Sequence, residues 1–334
     1  MKIPDGMVDY ARKVLGIARS TEVELVPFAG RGSDRSYYRL QWNGTHSAVL
    51  AHYNPARREN AGFADIARFL DDIEIPIAHI LGHEPIECFL VVQDLGETDL
   101  WSLRHLPWQN RRALYQKTLV VANRLHSYPV ELVPVERVQL AEAFGPGLYS
   151  WEREYFLENF VGKLCGIRPE PFFRTQLETE LAALAERLSS LRQCLVHRDL
   201  QSQNVMICED RPFLIDFQGM RLGTFFYDLG SLLYDPYVSL SENEREELLL
   251  YYFRLSIEQT DWGSFREAFR EAAAQRLMQA LGAYGFLGMT RGLISYLKHV
   301  RPGLENLCLV LENAGALPYL HDLAARCRKK LTYG

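Results

Sequence analysis

The sequence carries no surplus of positive charge: 37 Lys and Arg stand against 42 Asp and Glu in 334 residues, a formal net charge of -5. A phosphate backbone is drawn to a basic surface, so nucleic acid is not the expected ligand. No stretch approaches the roughly 18 consecutive apolar residues of a membrane span, and the opening "MKIPDGMVDYARKVLG" lacks the continuous apolar core of a signal peptide. Together these absences lead to the expectation of a cytoplasmic protein with no membrane partner. The six cysteines (Cys88, Cys165, Cys194, Cys208, Cys308 and Cys327) lie far apart without a CxxC pair. That spacing favours reduced, mostly buried thiols over a zinc site or a disulfide scaffold. Internal repeats and low-complexity linkers are also missing, so any division of the chain has to be read from a change of periodicity.

What is present is the composition of a globular protein, 48% hydrophobic and 24% charged, with enough length for two lobes that each bury a core. The periodicity changes near residue 96. Upstream, "VELVPF", "SYYRLQW", "SAVLAHY" and "CFLVVQDLG" are short β-branched or aromatic runs separated by Gly, Asn and Pro, which predicts several antiparallel strands. Between them "NPARRENAGFADIARFLDDI" predicts one helix, with Asn54 as cap, Pro55 in the first turn, and Phe63, Ile66, Ala67, Leu70 and Ile73 at helical spacing. Downstream, "WQNRRALYQKTLVVANRLHS", "TQLETELAALAERLSSL", "REAFREAAAQRLMQALGAYGFLG" and "LPYLHDLAARCRKKL" predict helices. The expected architecture is a small strand-rich lobe followed by a large helical one.

Two strand-like segments, "CLVHRD" and "NVMICEDRPFLIDF", interrupt the helical half and bracket the polar middle of "LVHRDLQSQNVMI" at residues 195–207. A turn signal at Glu209 to Pro212 predicts a hairpin of Val205–Cys208 with Pro212–Ile215. Asn204 would enter that hairpin and Asp216 leave it, placing an amide oxygen and a carboxylate at one open end. Such hard oxygen ligands suit magnesium, which takes few protein ligands and completes its octahedron with phosphate and water.

The run "HRDLQSQN" followed by "LIDFQG" resembles the catalytic loop and metal loop of the protein-kinase-like superfamily. Phe217 is followed by Gln218 rather than glycine, and no APE-terminated activation loop follows, which departs from protein kinases. The segment "GTFFYDLGSLLYD", with "RGSDRSYYRL", "VVQDLG" and "AAAQRLMQALGAYGFLG", is instead similar to the aminoglycoside phosphotransferase and choline kinase-like family of small-molecule kinases. Within it the closest likeness is to the branch of anomeric N-acetylmuramate/N-acetylglucosamine kinases, over roughly residues 22–330. The resemblance implies an α+β, bilobal protein-kinase-like fold, with a nucleotide-binding lobe at residues 1–96 and a helical catalytic and substrate lobe at 97–334. It implies ATP and Mg2+ as cofactors, a small-molecule sugar substrate, and a place in cell-wall recycling or nucleotide-sugar salvage.

By the same resemblance, Asp199 is the base that accepts the proton of the attacking hydroxyl, Asn204 and Asp216 hold magnesium, and Asp228 supports the catalytic loop from behind through its backbone. His197 and Arg198 belong to the same catalytic loop, His197 as a group that holds it. In "FAGRGSDRSYYRL", Gly30, Gly32 and Ser33 suit a backbone cradle for phosphates or a plain hairpin turn, and Arg35 suits phosphate neutralisation or simple exposure. Kinase-like enzymes usually place a lysine in the segment that here reads "SAVLAHYNP"; none is present, leaving Arg35, Arg39 and His52 as alternatives for its charge and no ion-pair partner for Glu59. The apolar strand "FLVVQDLGE" ends in a polar step whose backbone at Gln93, Asp94 and Leu95 suits pairing with an adenine edge, or an ordinary strand end.

Substrate contacts are expected from Gln203, from Glu154 and Tyr155 in "YSWEREYFLENF", and from Tyr234 and Asp235, although an aromatic stripe at that spacing equally suits a core. Three functions stay open. The preferred one is ATP-dependent phosphorylation of the anomeric hydroxyl of an N-acetylated amino sugar by a monomer or weak dimer. The others are a kinase for another small alcohol, such as an aminoglycoside or choline, and a nucleotide-binding scaffold without turnover.

Overall fold

The computed structural model describes residues 6–28, 35–56, 60, 62–258 and 260–333. Two units of structure divide the chain: the first combines Met1–Asp99, Val133–Ala141 and Val205–Gly219, the second Leu100–Leu132, Glu142–Asn204 and Met220–Gly334. The mixture of an antiparallel sheet with many helices is the α+β class that the resemblance implied.

In the first unit, α1 (Met7–Leu15) precedes strands β1 (Val23–Pro27), β2 (Ser36–Trp42) and β3 (His46–His52), and α2 (Phe63–Asp72) precedes β4 (Ile80–Glu84) and β5 (Phe89–Gln93). The strands form one antiparallel sheet in the order β1-β2-β3-β5-β4. Period-two patterning explains its burial: Tyr38 and Leu40 of β2 face inward and pair across to Leu50 and Ala48 of β3. On that face Met7 and Ala11 of α1 pack with Tyr38, Leu40, Ala48, Leu50, Phe89 and Val91. Ala64 of α2 joins Ala51, Tyr53, Cys88 and Leu90 in a second cluster. Gly82 of β4 lies so close to α1 that an added Cβ would stand 2.7 Å from a Val14 methyl.

Asn54 does not cap the described helix, which begins at Phe63; its Oδ1 accepts the Ala56 N–H at 3.0 Å in a local turn. Residues 57–59 and 61 of the expected helix lie outside the described residues, as do Gly30, Gly32 and Ser33.

The second unit contains α3 (Trp108–Ser127), α4 (Pro146–Phe156), α5 (Pro171–Ser190) and the short strand β6 (Cys194–Val196). The hairpin of the first unit follows in sequence as β7 (Val205–Cys208) and β8 (Arg211–Leu214). Its loop is shorter than the expected Glu209-to-Pro212 turn: Cys208 pairs directly with Arg211, and Glu209 and Asp210 both have positive φ, 49° and 60°. That is the twist-matched geometry of a two-residue hairpin turn.

The chain returns to the second unit with β9 (Arg221–Gly223), which pairs antiparallel with β6, and continues through α6 (Phe225–Leu233), α7 (Glu242–Leu255), α8 (Trp262–Gly285), α9 (Val300–Glu312) and α10 (Pro318–Tyr333). Every residue of α6 is buried, and α8 is buried from Phe265 to Gly285 except at Arg266, Glu267, Ala268, Arg270 and Ala283. A helix buried on nearly all sides belongs at the centre of a core rather than on a surface, and the polar groups α8 buries there, Glu271, Gln275, Arg276 and Gln279, are each hydrogen-bonded. Gly230 lets α6 and α8 touch: a Cβ there would meet the Ala273 Cα at 2.8 Å. None of the helices among the described residues is long and apolar enough to cross a membrane.

Candidate active site

Local sequence first puts strain into the loop after β6. Arg198 has φ of 76°, left-handed backbone that a non-glycine residue adopts only when its surroundings impose it. Asp228 of α6 imposes it: its Oδ2 accepts the His197 N–H at 2.7 Å and its Oδ1 accepts the Arg198 N–H at 2.8 Å. Asp228 is wholly buried, and His126 of α3 holds it from the other side, with Nε2 3.0 Å from Oδ2 and Nδ1 2.7 Å from the Tyr252 hydroxyl. A second buried carboxylate anchors the far end of the loop. Asp235 Oδ2 accepts both the Ser202 N–H at 2.8 Å and the Ser202 hydroxyl at 2.5 Å, while Oδ1 accepts the Tyr237 N–H at 2.9 Å. Burial raises the Asp235 carboxyl above the usual carboxylate range.

Between these anchors sits Asp199. Its side chain is 21% exposed, and its Oδ2 accepts a hydrogen bond from Arg198 Nη1 at 2.7 Å. Its Oδ1 lies 3.5 Å from Arg276 Nη2 on α8. Burial pushes its carboxyl up, but Arg198 and then Arg276 outweigh it, leaving Asp199 below the ordinary carboxylate range and therefore ionised. The Arg198 guanidinium is correspondingly raised, first by Asp199.

A further acid stands behind the arginines. Glu152 of α4 is buried, with Oε1 accepting the Tyr227 hydroxyl at 2.8 Å and Oε2 accepting Gln275 Nε2 at 2.9 Å. Burial raises its carboxyl, against those two hydrogen bonds and the charges of Arg198 and Arg276. Buried charges persist only when paired and hydrogen-bonded, which is what this cluster provides.

Asn204 closes the one-turn 3-10 segment Ser202–Asn204, where Gln203 also sits. Its Nδ2 donates to the Asp199 carbonyl at 2.9 Å, which fixes the amide and turns its Oδ1 to other use. In the first unit, Asp216 follows β8 with φ of 64° and is exposed; its Oδ1 accepts Gln218 Nε2 at 2.7 Å, leaving Oδ2 as the other carboxylate oxygen. A neutral amide oxygen and a carboxylate are the donor types magnesium takes from protein, so the residues fit that ion chemically.

Gln218 also connects to Arg35, accepting from its Nη1 at 3.3 Å, while Arg35 Nε donates to Asn60 Oδ1 at 2.8 Å and the guanidinium lies 4.8 Å from the Phe63 ring centroid. Phe63 in turn stacks on Phe217 at 4.8 Å. Arg35 is thus buried in a polar niche of the first unit rather than a solvent-facing arginine. Arg39 is engaged elsewhere: its Nε lies 2.7 Å from Asp94 Oδ2, and it also pairs with Glu97. His52 packs edge-on against Phe89. At the end of β5, Gln93 N–H donates to the His79 carbonyl at 2.9 Å, Asp94 Oδ1 accepts the Gly96 N–H at 2.9 Å, and Leu95 is buried.

The residues expected to face the acceptor scatter. Glu154 is exposed and pairs with Arg174 at 3.4 Å, whereas Tyr155 is partly buried and stacks on Trp151 at 5.0 Å. Tyr234 packs on Phe269 with Arg245 over its ring. The sequence does not single out Arg276 or His126, and Glu152, which the helix of Glu154 and Tyr155 could have offered to a sugar as a carboxylate, is buried instead.

A five-stranded antiparallel sheet, a helical unit and an Asp-anchored HRD loop define a phosphotransferase fold. The chain belongs to the phosphotransferase enzyme family, whose family model matches residues 24–268. It is similar to an N-acetylmuramate/N-acetylglucosamine kinase of Pseudomonas aeruginosa, with 26% identity over 242 residues, 69% of this chain and 65% of the relative. It is also similar to a protein of the same name from Neisseria meningitidis serogroup B, with 28% identity over 228 residues, 68% of this chain and 66% of the relative. The chain therefore spans about two thirds of the length of these curated relatives. In fold it resembles an aminoglycoside phosphotransferase solved with ADP bound, at TM-score 0.60 and 15% identity, covering 96% of this chain and 99% of that one.

Proposed function

We propose that the protein is an ATP-dependent kinase of an N-acetylated amino sugar, transferring the γ-phosphoryl group to the anomeric hydroxyl of N-acetylglucosamine or N-acetylmuramate. The observation that carries the catalytic part is Asp199 in a strained loop held by Asp228; the names of the two curated relatives support the acceptor class.

An anomeric hydroxyl attacks poorly until its proton has somewhere to go. A carboxylate within hydrogen-bond reach of it contributes roughly 10²–10⁴ in rate. Asp199 takes that part: it is ionised, fixed by arginines, and exposed enough for an acceptor to reach it. The attacking oxygen forms its bond to the γ-phosphorus, the bond to the β-γ bridging oxygen breaks, the hydroxyl proton passes to Asp199, and ADP leaves. Asn204 and Asp216 would hold the magnesium ion, which when bound neutralises phosphate charge.

Arg35 takes over the phosphate charge usually borne by the absent lysine, since Arg39 is committed to Asp94 and Glu97. Gly32, Ser33 and the backbone of Gln93 to Leu95 complete the nucleotide contacts in the lobe of residues 1–96, and Gln203 and Tyr155 are the acceptor contacts in residues 97–334, Tyr234 being taken up by Phe269 and Arg245. The test is ADP release in the presence of ATP and magnesium over N-acetylglucosamine, N-acetylmuramate, neutral hexoses, aminoglycosides and choline, with the phosphorylated carbon read by NMR. Turnover confined to aminoglycosides or choline overturns the amino-sugar reading, as does phosphate on a carbon other than the anomeric one. Silence in every arm overturns the kinase.

A further inference from the structure

We infer that Arg276, on the central helix α8, is a positioning residue that sets the plane of the Asp199 carboxylate; this rests on the reading of Asp199 as the base. All three nitrogens of its guanidinium are committed, each to a different group. Nε donates to the Ser231 hydroxyl at 3.1 Å, Nη1 donates to Gln279 Oε1 at 2.8 Å, and Nη2 faces Asp199 Oδ1 at 3.5 Å. A planar fork bound at two corners points its third corner in one direction.

The surroundings make this an unusual place for an arginine. Most of its neighbours on α8 (Ala272, Ala273, Ala274, Leu277 and Met278) are buried and apolar, Gln275 and Gln279 being buried polar exceptions, and Arg276 itself is 5% exposed. Taking a guanidinium out of water costs several kcal/mol, and a well-packed apolar side chain in such a position is often no less stable. Packing alone therefore gives no reason for it. Its partners give one: Ser231 and Gln279 are themselves buried, and their side-chain oxygens accept from Nε and Nη1 and so aim the fork.

Asp199 needs such an aim. The torsion that turns a carboxylate about its Cβ–Cγ bond is broad, so one contact to one oxygen leaves the plane loosely set. Arg198 grips Oδ2 from the strained loop, and Arg276 opposes Oδ1 from the rigid core. With both oxygens facing a guanidinium, the lone pair left for the acceptor hydroxyl is held in one direction. Misplacing a catalytic group by about 1 Å costs on the order of 100-fold in rate.

The experiment is steady-state kinetics of the full chain, with the acceptor and ATP varied separately, on Arg276→Ala, Arg276→Lys, Gln279→Ala and Ser231→Ala. The inference expects kcat to fall by roughly 100-fold in Arg276→Ala. Arg276→Lys, which keeps the charge and loses the fork, should remain on the order of tenfold below the parent. Gln279→Ala and Ser231→Ala, which leave the arginine but release its aim, should each lower kcat by a smaller factor, and the KM for both substrates should stay within about twofold. Full kcat in Arg276→Lys, unchanged kcat in both Gln279→Ala and Ser231→Ala, or a loss lying wholly in the acceptor KM overturns it. Should Arg276→Ala not fold, the other three variants decide. A parent that phosphorylates nothing overturns the proposed function and the inference together, whereas an active parent with equally active variants overturns the inference alone.

Discussion

His126 and Asp228 meet in the fully buried interior of the helical unit, Nε2 to Oδ2 at 3.0 Å, with neither side chain exposed. Through this pair the core of the unit reaches the backbone of the HRD loop, because the same carboxylate holds the N–H groups of His197 and Arg198. The left-handed Arg198 is the strain that the arrangement maintains.

Asp228→Asn offers one acceptor oxygen where two are used, and turns an N–H donor toward a backbone N–H. Losing a buried hydrogen bond to a charged group costs on the order of 2–4 kcal/mol. Urea denaturation should show that loss, and kcat should fall as the loop relaxes. A variant as stable as the parent would remove Asp228 from the role of loop anchor.

Asp199→Asn keeps the size of the side chain and removes its basicity. Turnover is expected to drop by roughly 10²–10⁴, the range of a general base, while nucleotide binding measured by calorimetry is retained. Turnover within a few-fold of the parent would take Asp199 out of the chemistry.

Arg35→Ala should raise the KM for ATP by about tenfold, equivalent to about 1.4 kcal/mol, through loss of a cation aimed by Asn60 and Gln218. Arg39→Ala should raise it less, since that arginine serves Asp94 and Glu97. An equal or larger rise for Arg39→Ala would move the phosphate role there.

Gly230→Ala drives a methyl to within 2.8 Å of the Ala273 main chain, at a contact between two buried helices that no side-chain rotation relieves. Overpacking of this kind costs about 1–3 kcal/mol, so thermal denaturation should show a lowered Tm. An unshifted Tm would mean that the two helices can separate at no cost.

His299 lies edge-on to Tyr237 at 4.3 Å, and burial, with Lys298 beside it, lowers its pKa from 6.5 to about 4. Below 6.5 the unfolded chain takes up this proton while the folded chain does not, so stability should fall as pH drops from about 6.5 to about 4. His299→Gln should flatten that part of the pH–stability curve; an unchanged slope would mean the proton is bound elsewhere.

Several elements were legible because their signal is contiguous. The helix over Trp108–Ser127 coincides with the run that predicts it, and the strands at Ser36–Trp42 and Phe89–Gln93 fall on the β-branched and aromatic runs. The strand Ile80–Glu84 was not legible, since "ILGHE" alternates weakly and contains the glycine that α1 requires. The Arg221–Gly223 strand is too short for any pattern to register and exists because it pairs with Cys194–Val196. Helix α1 lay in a segment read only for its lack of a leader's apolar core.

The candidate site divides along the same line. His197, Arg198, Asp199 and Asn204 share one short run, and a chain that folds locally keeps such spacing on view, so the sequence by itself determined the class of chemistry and the family. His126 stands 102 residues from Asp228 and Gln275 123 from Glu152, and Arg276 reaches Asp199 from another helix altogether. Periodicity counts neighbours along the chain, and loop closure makes no distant pair more visible than another. Only packing of α4, α6 and α8 decided that a buried acid, two arginines and an amide would surround one aspartate, because burying those charges is tolerable only where they meet.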